Sequence, residues 1–204
     1  EPEACEVVSR TFGALGVDVH VGARVSSVQH DDGFRLGLDG ATLAAARLLV
    51  ATGRRPNLRD VGLETVGLDP GGDTVVTDER MRAGERLWAV GDITGHGDYT
   101  HLALYQAQVA VRDLLGEDGP WADHRAVSRV TFTDPEIGAV GMTEAQARSA
   151  GLPVAIGRAD IPRSSRGWIA EAEGVVKLVA DAERGVLVGA TVVAPYGGEV
   201  VGLL

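Results

Sequence analysis

Cysteine is all but missing. Cys5 is the only one in 204 residues, so no disulfide can form within the chain and no multi-cysteine metal site can assemble. A reducing, cytoplasmic setting is the expectation, with Cys5 as small apolar filler in a helix. Lysine is as scarce: Lys177 stands alone beside eighteen arginines. No apolar run approaches the ~18 residues that crossing a bilayer takes, so no membrane partner is expected. The opening Glu-Pro-Glu-Ala-Cys-Glu has no basic n-region and predicts no signal peptide. Acidic residues outnumber basic ones, 29 to 19, for a formal charge of −10. A negative surface repels phosphate backbones, which argues against nucleic acid as a partner. The five histidines are scattered, and His96 with His101 lack metal-ligand spacing.

What is present is ordinary globular material, 45% hydrophobic and 24% charged, enough to bury a core. Residues 4–15 read as a helix closed by Gly16. Strands are expected at 17–21, 23–30 and 34–38, the last two joined by the turn Asp31-Asp32-Gly33; another short strand follows Asp39-Gly40. Residues 48–51 and 87–90 are continuous apolar runs, the pattern of strands covered on both faces. A long connection occupies residues 57–74. A helix is expected over 100–115, with Leu104, Val111, Leu114 and Leu115 facing the core and Gly116 as its stop. After a polar stretch at 117–124 come strands at 128–133, 156–161, 174–180 and 186–193. Between them Thr143 and Gln146 form a capping box that opens a helix closed by Gly151. The first part reads as α/β and the second as α+β. The chain starts inside a helix and stops in the apolar run 200–204, and reads as truncated.

Two segments carry the chemistry. Residues 48–57 read L-L-V-A-T-G-R-R-P-N, and residues 87–95 read L-W-A-V-G-D-I-T-G. An apolar strand ending in Gly91-Asp92 presents a carboxylate at the edge of a sheet, where open α/β sheets bind ligands. Gly91 admits close backbone approach. Taken alone, Gly-Asp reads equally as a turn or a helix cap. Arg54 and Arg55 read as solvated loop charges or as partners of a phosphate or carboxylate.

In this order and about forty residues apart, the two segments resemble the pyridine nucleotide-disulfide oxidoreductase family, which includes dihydrolipoamide dehydrogenase, glutathione reductase and mercuric reductase. The likeness continues in V-T-F-T-D-P-E-I-G-A-V-G-M-T-E at 130–144, G-V-V-K-L-V at 174–179 and G-A-T-V-V-A-P-Y-G-G-E-V-V at 189–201. It spans essentially the whole chain. The resemblance implies a partial FAD/NAD(P)-binding three-layer ββα fold followed by a partial α+β dimerisation domain. Residues 1–47 would close the NAD(P) domain, 48–122 would be the second segment of the FAD domain, and 123–204 would be the dimerisation domain, cut short.

Asp92 would then hold the ribityl chain of FAD, with Gly91 beside it. Tyr99, Thr100, His101 and Leu102 would form the first turn of a helix aimed at the pyrimidine edge of the flavin ring, stabilising negative charge there. Gly53 would lie near the nicotinamide nucleotide, NAD or NADP. His101 departs from many relatives and reads as a capping or half-exposed residue without proton chemistry. The stretches 161–168 and 101–105 look closer to mercuric-reductase-like members than to lipoamide dehydrogenases. There is no G-x-G-x-x-G after a strand and no C-x-x-x-x-C pair, so the resemblance implies an inactive fragment of an enzyme that passes electrons from NAD(P)H through flavin. Its acceptor would be a disulfide, a metal ion or a quinone-like small molecule. A second reading is a homodimerisation module without catalysis, and a third is a flavin-free structural relative.

Overall fold

The computed structural model describes residues 1–204, which divide into two compact units: Ser9–Arg54, and Glu1–Val8 together with Arg55–Leu204. Helix α1 (Pro2–Ala14) runs from the second unit into the first.

In the smaller unit, β1 (Val25–His30), β2 (Phe34–Leu38) and β3 (Ala41–Ala45) form an antiparallel sheet in sequence order. The Asp31-Asp32-Gly33 turn sets its register, pairing His30 with Phe34. Two expected strands are missing. Residues 17–21 are irregular and exposed; residues 48–51 are irregular too, with Leu48 half-buried and Leu49 88% exposed. A strand is stable only when its amides find a neighbour, and no segment pairs with either run.

From Arg55 onward the larger unit passes through a 3₁₀ turn, Leu63–Val66, to a two-stranded hairpin, β4 (Arg82–Gly84) and β5 (Leu87–Trp88). The expected strand at 87–90 therefore belongs to a short hairpin, not to a parallel sheet. Helix α2 (Thr100–Leu114) follows. Its inward face differs from the expected one: Leu102, Gln106, Val109, Ala110 and Asp113 are buried, whereas Leu104, Val111, Leu114 and Leu115 are exposed. Apolar count misleads here because two polar side chains anchor the helix. Asp113 accepts from Arg80, from Arg82 and from the indole of Trp88, and Gln106 ties the helix to the turn after β5. Val109 and Ala110 then pack with Met81 against Trp88, Tyr105 and Trp121.

The remainder is a five-stranded antiparallel sheet in the order β6-β7-β10-β9-β8, built from β6 (Arg129–Thr131), β7 (Glu136–Gly141), β8 (Val154–Asp160), β9 (Val175–Asp181) and β10 (Val186–Ala194). The period of two decides its faces. Val175 opposes Val193 and packs with Ala4 and Val7 of α1, while Val192 and Ala194 pack on Val201 of α5 (Gly197–Val201). The helix α3 (Glu144–Ser149) opens with the expected capping box: the Thr143 hydroxyl accepts from the Gln146 amide, and the Gln146 side chain accepts from the Thr143 amide. A short helix α4 (Ser165–Ile169) lies between β8 and β9. Cys5, expected as core filler, is exposed on α1, because Ala4 and Val7 occupy the face that meets the sheet.

Candidate functional site

Beyond β5 the chain enters a single 3₁₀ turn, Asp92–Thr94, closed by Gly95. Gly91 sits at φ 83° and ψ −160°, a conformation essentially confined to glycine. Its side-chain-free face turns toward α2: a Cβ placed there would lie 3.5 Å from the Cβ of Ala103.

The turn is stapled from beneath. Gln106 is 0% exposed. Its Oε1 accepts the buried Gly91 amide at 2.6 Å, and its Nε2 donates to Thr94 Oγ1 at 3.1 Å. The Thr94 hydroxyl in turn donates to the Gly91 carbonyl at 2.8 Å. A second contact of Gln106 Nε2, 3.1 Å long, reaches His124 Nε2, and the His124 ring stacks on His96 with centroids 3.7 Å apart. Burial, reinforced by the neighbouring His96, pushes the His124 imidazole below its ordinary value. Thr94 lies within the 87–95 segment, but Gln106, His96 and His124 do not stand out in the sequence as part of this site. A glutamine fifteen residues from the glycine it serves leaves no local pattern to read.

Fixing Gly91 in this way leaves the next carboxylate free. Asp92 is exposed. Helix α2 begins after Tyr99, whose side chain makes no capping hydrogen bond, so the first turn offers N–H donors and a partial positive charge. Thr100 is exposed, while Leu102 is buried and anchors that turn. The Tyr99 ring lies over Gly97, where a Cβ would meet it at 2.8 Å. His101 is exposed, stacks on Tyr99 at 5.5 Å, and donates from Nε2 to the Ser128 carbonyl at 2.9 Å. Gly53 belongs to the smaller unit, where it is exposed at φ 119° with open space around it.

An exposed carboxylate on a turn tied to α2 through Gln106, and a start of α2 that the Tyr99 side chain does not cap, together supply acceptors and donors for a ligand that carries both hydroxyls and developing negative charge. A flavin nucleotide has both, so the residues present fit FAD.

A mixed α/β chain with this turn-and-helix site points to a nucleotide-dependent redox protein. Two family models agree: the pyridine nucleotide-disulphide oxidoreductase model matches residues 1–113, and that family's dimerisation-domain model matches residues 127–204. The chain belongs to the pyridine nucleotide-disulphide oxidoreductases, whose members are FAD-dependent and use NAD(P)H. It is 34% identical to dihydrolipoyl dehydrogenase 2 of Haloarcula marismortui and 34% identical to the mercuric reductase of Streptomyces lividans, with 98% of this chain and 44% of each relative covered. Among solved structures it superimposes on LpdA from Mycobacterium tuberculosis with a TM-score of 0.87 at 28% identity, over 98% of this chain and 45% of that one. The HOCl-induced flavoprotein disulfide reductase RclA from Escherichia coli gives 0.84 at 25% identity, over 98% and 47%. The chain thus spans less than half the length of the relatives it matches. No helix is long and apolar enough to cross a membrane.

Proposed function

We propose that this chain is the flavin-tail and dimerisation portion of an enzyme that passes electrons from NAD(P)H through FAD to a disulfide, a metal ion or a quinone-like acceptor. The observation that carries the reading is the Gly91 turn, held by Gln106 of α2, which leaves Asp92 exposed while the Tyr99 side chain leaves the start of α2 uncapped. In this reading Asp92 accepts the hydroxyls of the ribityl chain. Tyr99, Thr100, His101 and Leu102 set the helix start against the pyrimidine edge of the ring, whose negative charge the first-turn amides stabilise. Gly53 leaves room for the nicotinamide nucleotide. FAD bound there supplies a two-electron relay, taking hydride from the nicotinamide and releasing electrons to the acceptor. Isolated, the chain is inactive, because it carries neither a Gly-rich nucleotide loop nor a cysteine pair.

FAD binding by the full-length protein tests this. A charge-assisted hydrogen bond contributes about 1.5–3 kcal/mol, so Asp92→Ala weakens FAD about 10- to 150-fold, and wild-type flavin bleaches on adding NADH or NADPH. A full-length protein that purifies colourless and stays so with added FAD overturns the reading.

Assembly is a second role that the same polypeptide supports. Phe132, Trp168, Tyr196 and Leu203 are exposed within the part matched by the dimerisation model, each by 75% or more. Such apolar surface marks a contact site. Light scattering on the full-length protein is expected to give twice the monomer mass, and a strictly monomeric protein removes this role.

A further inference from the structure

The Gln106 carboxamide has its orientation dictated from one side. The Gly91 amide can only donate, so the atom 2.6 Å from it must be the oxygen. The NH₂ group then faces Thr94 Oγ1 and His124 Nε2, both at 3.1 Å. An NH₂ group only donates, so His124 Nε2 must accept, and the ring must be neutral with its proton on Nδ1. We propose that His124 is a proton-sensitive positioning residue for the Gly91–Asp92 turn, acting through Gln106. The consequence for ligand binding rests on the reading of that turn as the FAD site.

A proton added at Nε2 would set two donors against each other. Gln106 can relieve the conflict only by turning its oxygen to His124, which puts its NH₂ against the Gly91 N–H and leaves a buried amide without an acceptor. The imidazole can instead swing away, which strips Gln106 of one partner. Either route loosens the staple under Asp92.

The titratable and charged groups around His124 fit this arrangement. His96 lies parallel to it, 1° between the ring planes, so two charges cannot be held there together. Tyr105 meets it edge-on, with centroids 6.4 Å apart, and the Tyr105 hydroxyl is engaged with the Asp123 amide. Asp123, the one nearby anion that favours the charged ring, is held by Arg125 through Nε at 2.9 Å and NH2 at 2.6 Å. Tyr99 and Arg129 line the same cavity, of about 290 Å³, and Arg129 donates to the Gly141 carbonyl. The lowered value for His124, due to burial first and His96 second, has the sign that the geometry demands. It places the switch on the acid side of 6.5.

The test follows the Gly91 amide and the His124 ring nitrogens by NMR in full-length protein labelled with ¹⁵N-glycine and ¹⁵N-histidine, from pH 8 downward, with FAD affinity measured over the same range. Both sets of signals are expected to move together, with a common midpoint below 6.5. In His124→Gln, whose side-chain oxygen reaches the position of Nε2 and still accepts from Gln106 but does not titrate, the Gly91 signal is expected to stay flat. FAD binding weakens about two- to tenfold through the transition in wild type and not in His124→Gln. A Gly91 amide unmoved while His124 titrates in the wild type overturns the proposal, and this arm needs no variant to fold. So does a Gly91 titration that survives in His124→Gln. If Gly91 and His124 titrate together while FAD affinity stays constant, the coupling stands and the assignment of the turn to FAD falls.

Discussion

Lys177, the chain's single lysine, meets the carboxylate of Glu1 at 2.9 Å across a sequence separation of 176 residues, with side chains only 4% and 3% exposed. Glu3 and Glu144 join the same ammonium at 2.8 Å each. The lysine on β9 thereby links the start of α1 to the start of α3.

Burial alone would lower the Lys177 value, but its hydrogen bonds to Glu144, Glu3 and Glu1 outweigh burial and raise it well above 10.5. The cluster's contribution is therefore intact between the ordinary glutamate value of 4.5 and pH 10.5; it is lost above that range as Lys177 deprotonates and below it as Glu3 and Glu144 take up protons. Lys177→Met leaves the buried Glu1 carboxylate without its cation, while Glu144 keeps Arg148, and is expected to cost about 3–5 kcal/mol. Urea denaturation at pH 7 measures it, and a loss below about 1 kcal/mol would show that water reaches the cluster.

Asp113 gives the opposite limb. Hydrogen bonds from Arg82 first, then Trp88 and Arg80, overcome burial and hold its carboxyl at about 2, against the ordinary 3.8. Its contribution is complete above pH 3.8 and drains away as pH falls toward 2. Asp113→Asn is expected to melt at a lower temperature than wild type at pH 7, and the two curves should converge near pH 2. A gap that stays constant across that range would mean that shape, not charge, holds α2 to the β4–β5 hairpin.

At Gly91 there is room for a methyl group, since Ala103 is at ordinary contact distance, but the backbone angles are unsuited to any other residue. Gly91→Ala is expected to cost about 1–3 kcal/mol through strain alone. Calorimetry checks the size, and an unchanged melting temperature would mean the turn relaxes freely.

Thr143→Ala removes the hydroxyl that accepts the Gln146 amide and is expected to cost about 1 kcal/mol. Thr143→Ser should restore most of it. Equal losses in both variants would place the effect in the methyl group instead of the cap.

Local chemistry was legible in advance. The capping box at Thr143, the hairpin turn at Asp31-Asp32-Gly33, the span of α2 and the strands expected at 174–180 and 186–193 each depend on residues near in sequence. So did the family, through an ordered set of motifs. Where pairing or packing between distant segments decides, the reading failed. Residues 48–51 have strand composition but no neighbour to pair with, and Leu104, Val111, Leu114 and Leu115 point outward because Gln106 and Asp113 were needed within.

What the amino-acid order settled unaided is where the chain can turn, where helices begin, and which glycine and carboxylate stand at the end of β5. Only the folded structure decided what holds that carboxylate's turn in place. A hydrogen bond from Gly91 to Gln106, continued to His124, joins groups that share no periodicity and no motif. Its geometry exists only once α2 has packed its polar anchors inward.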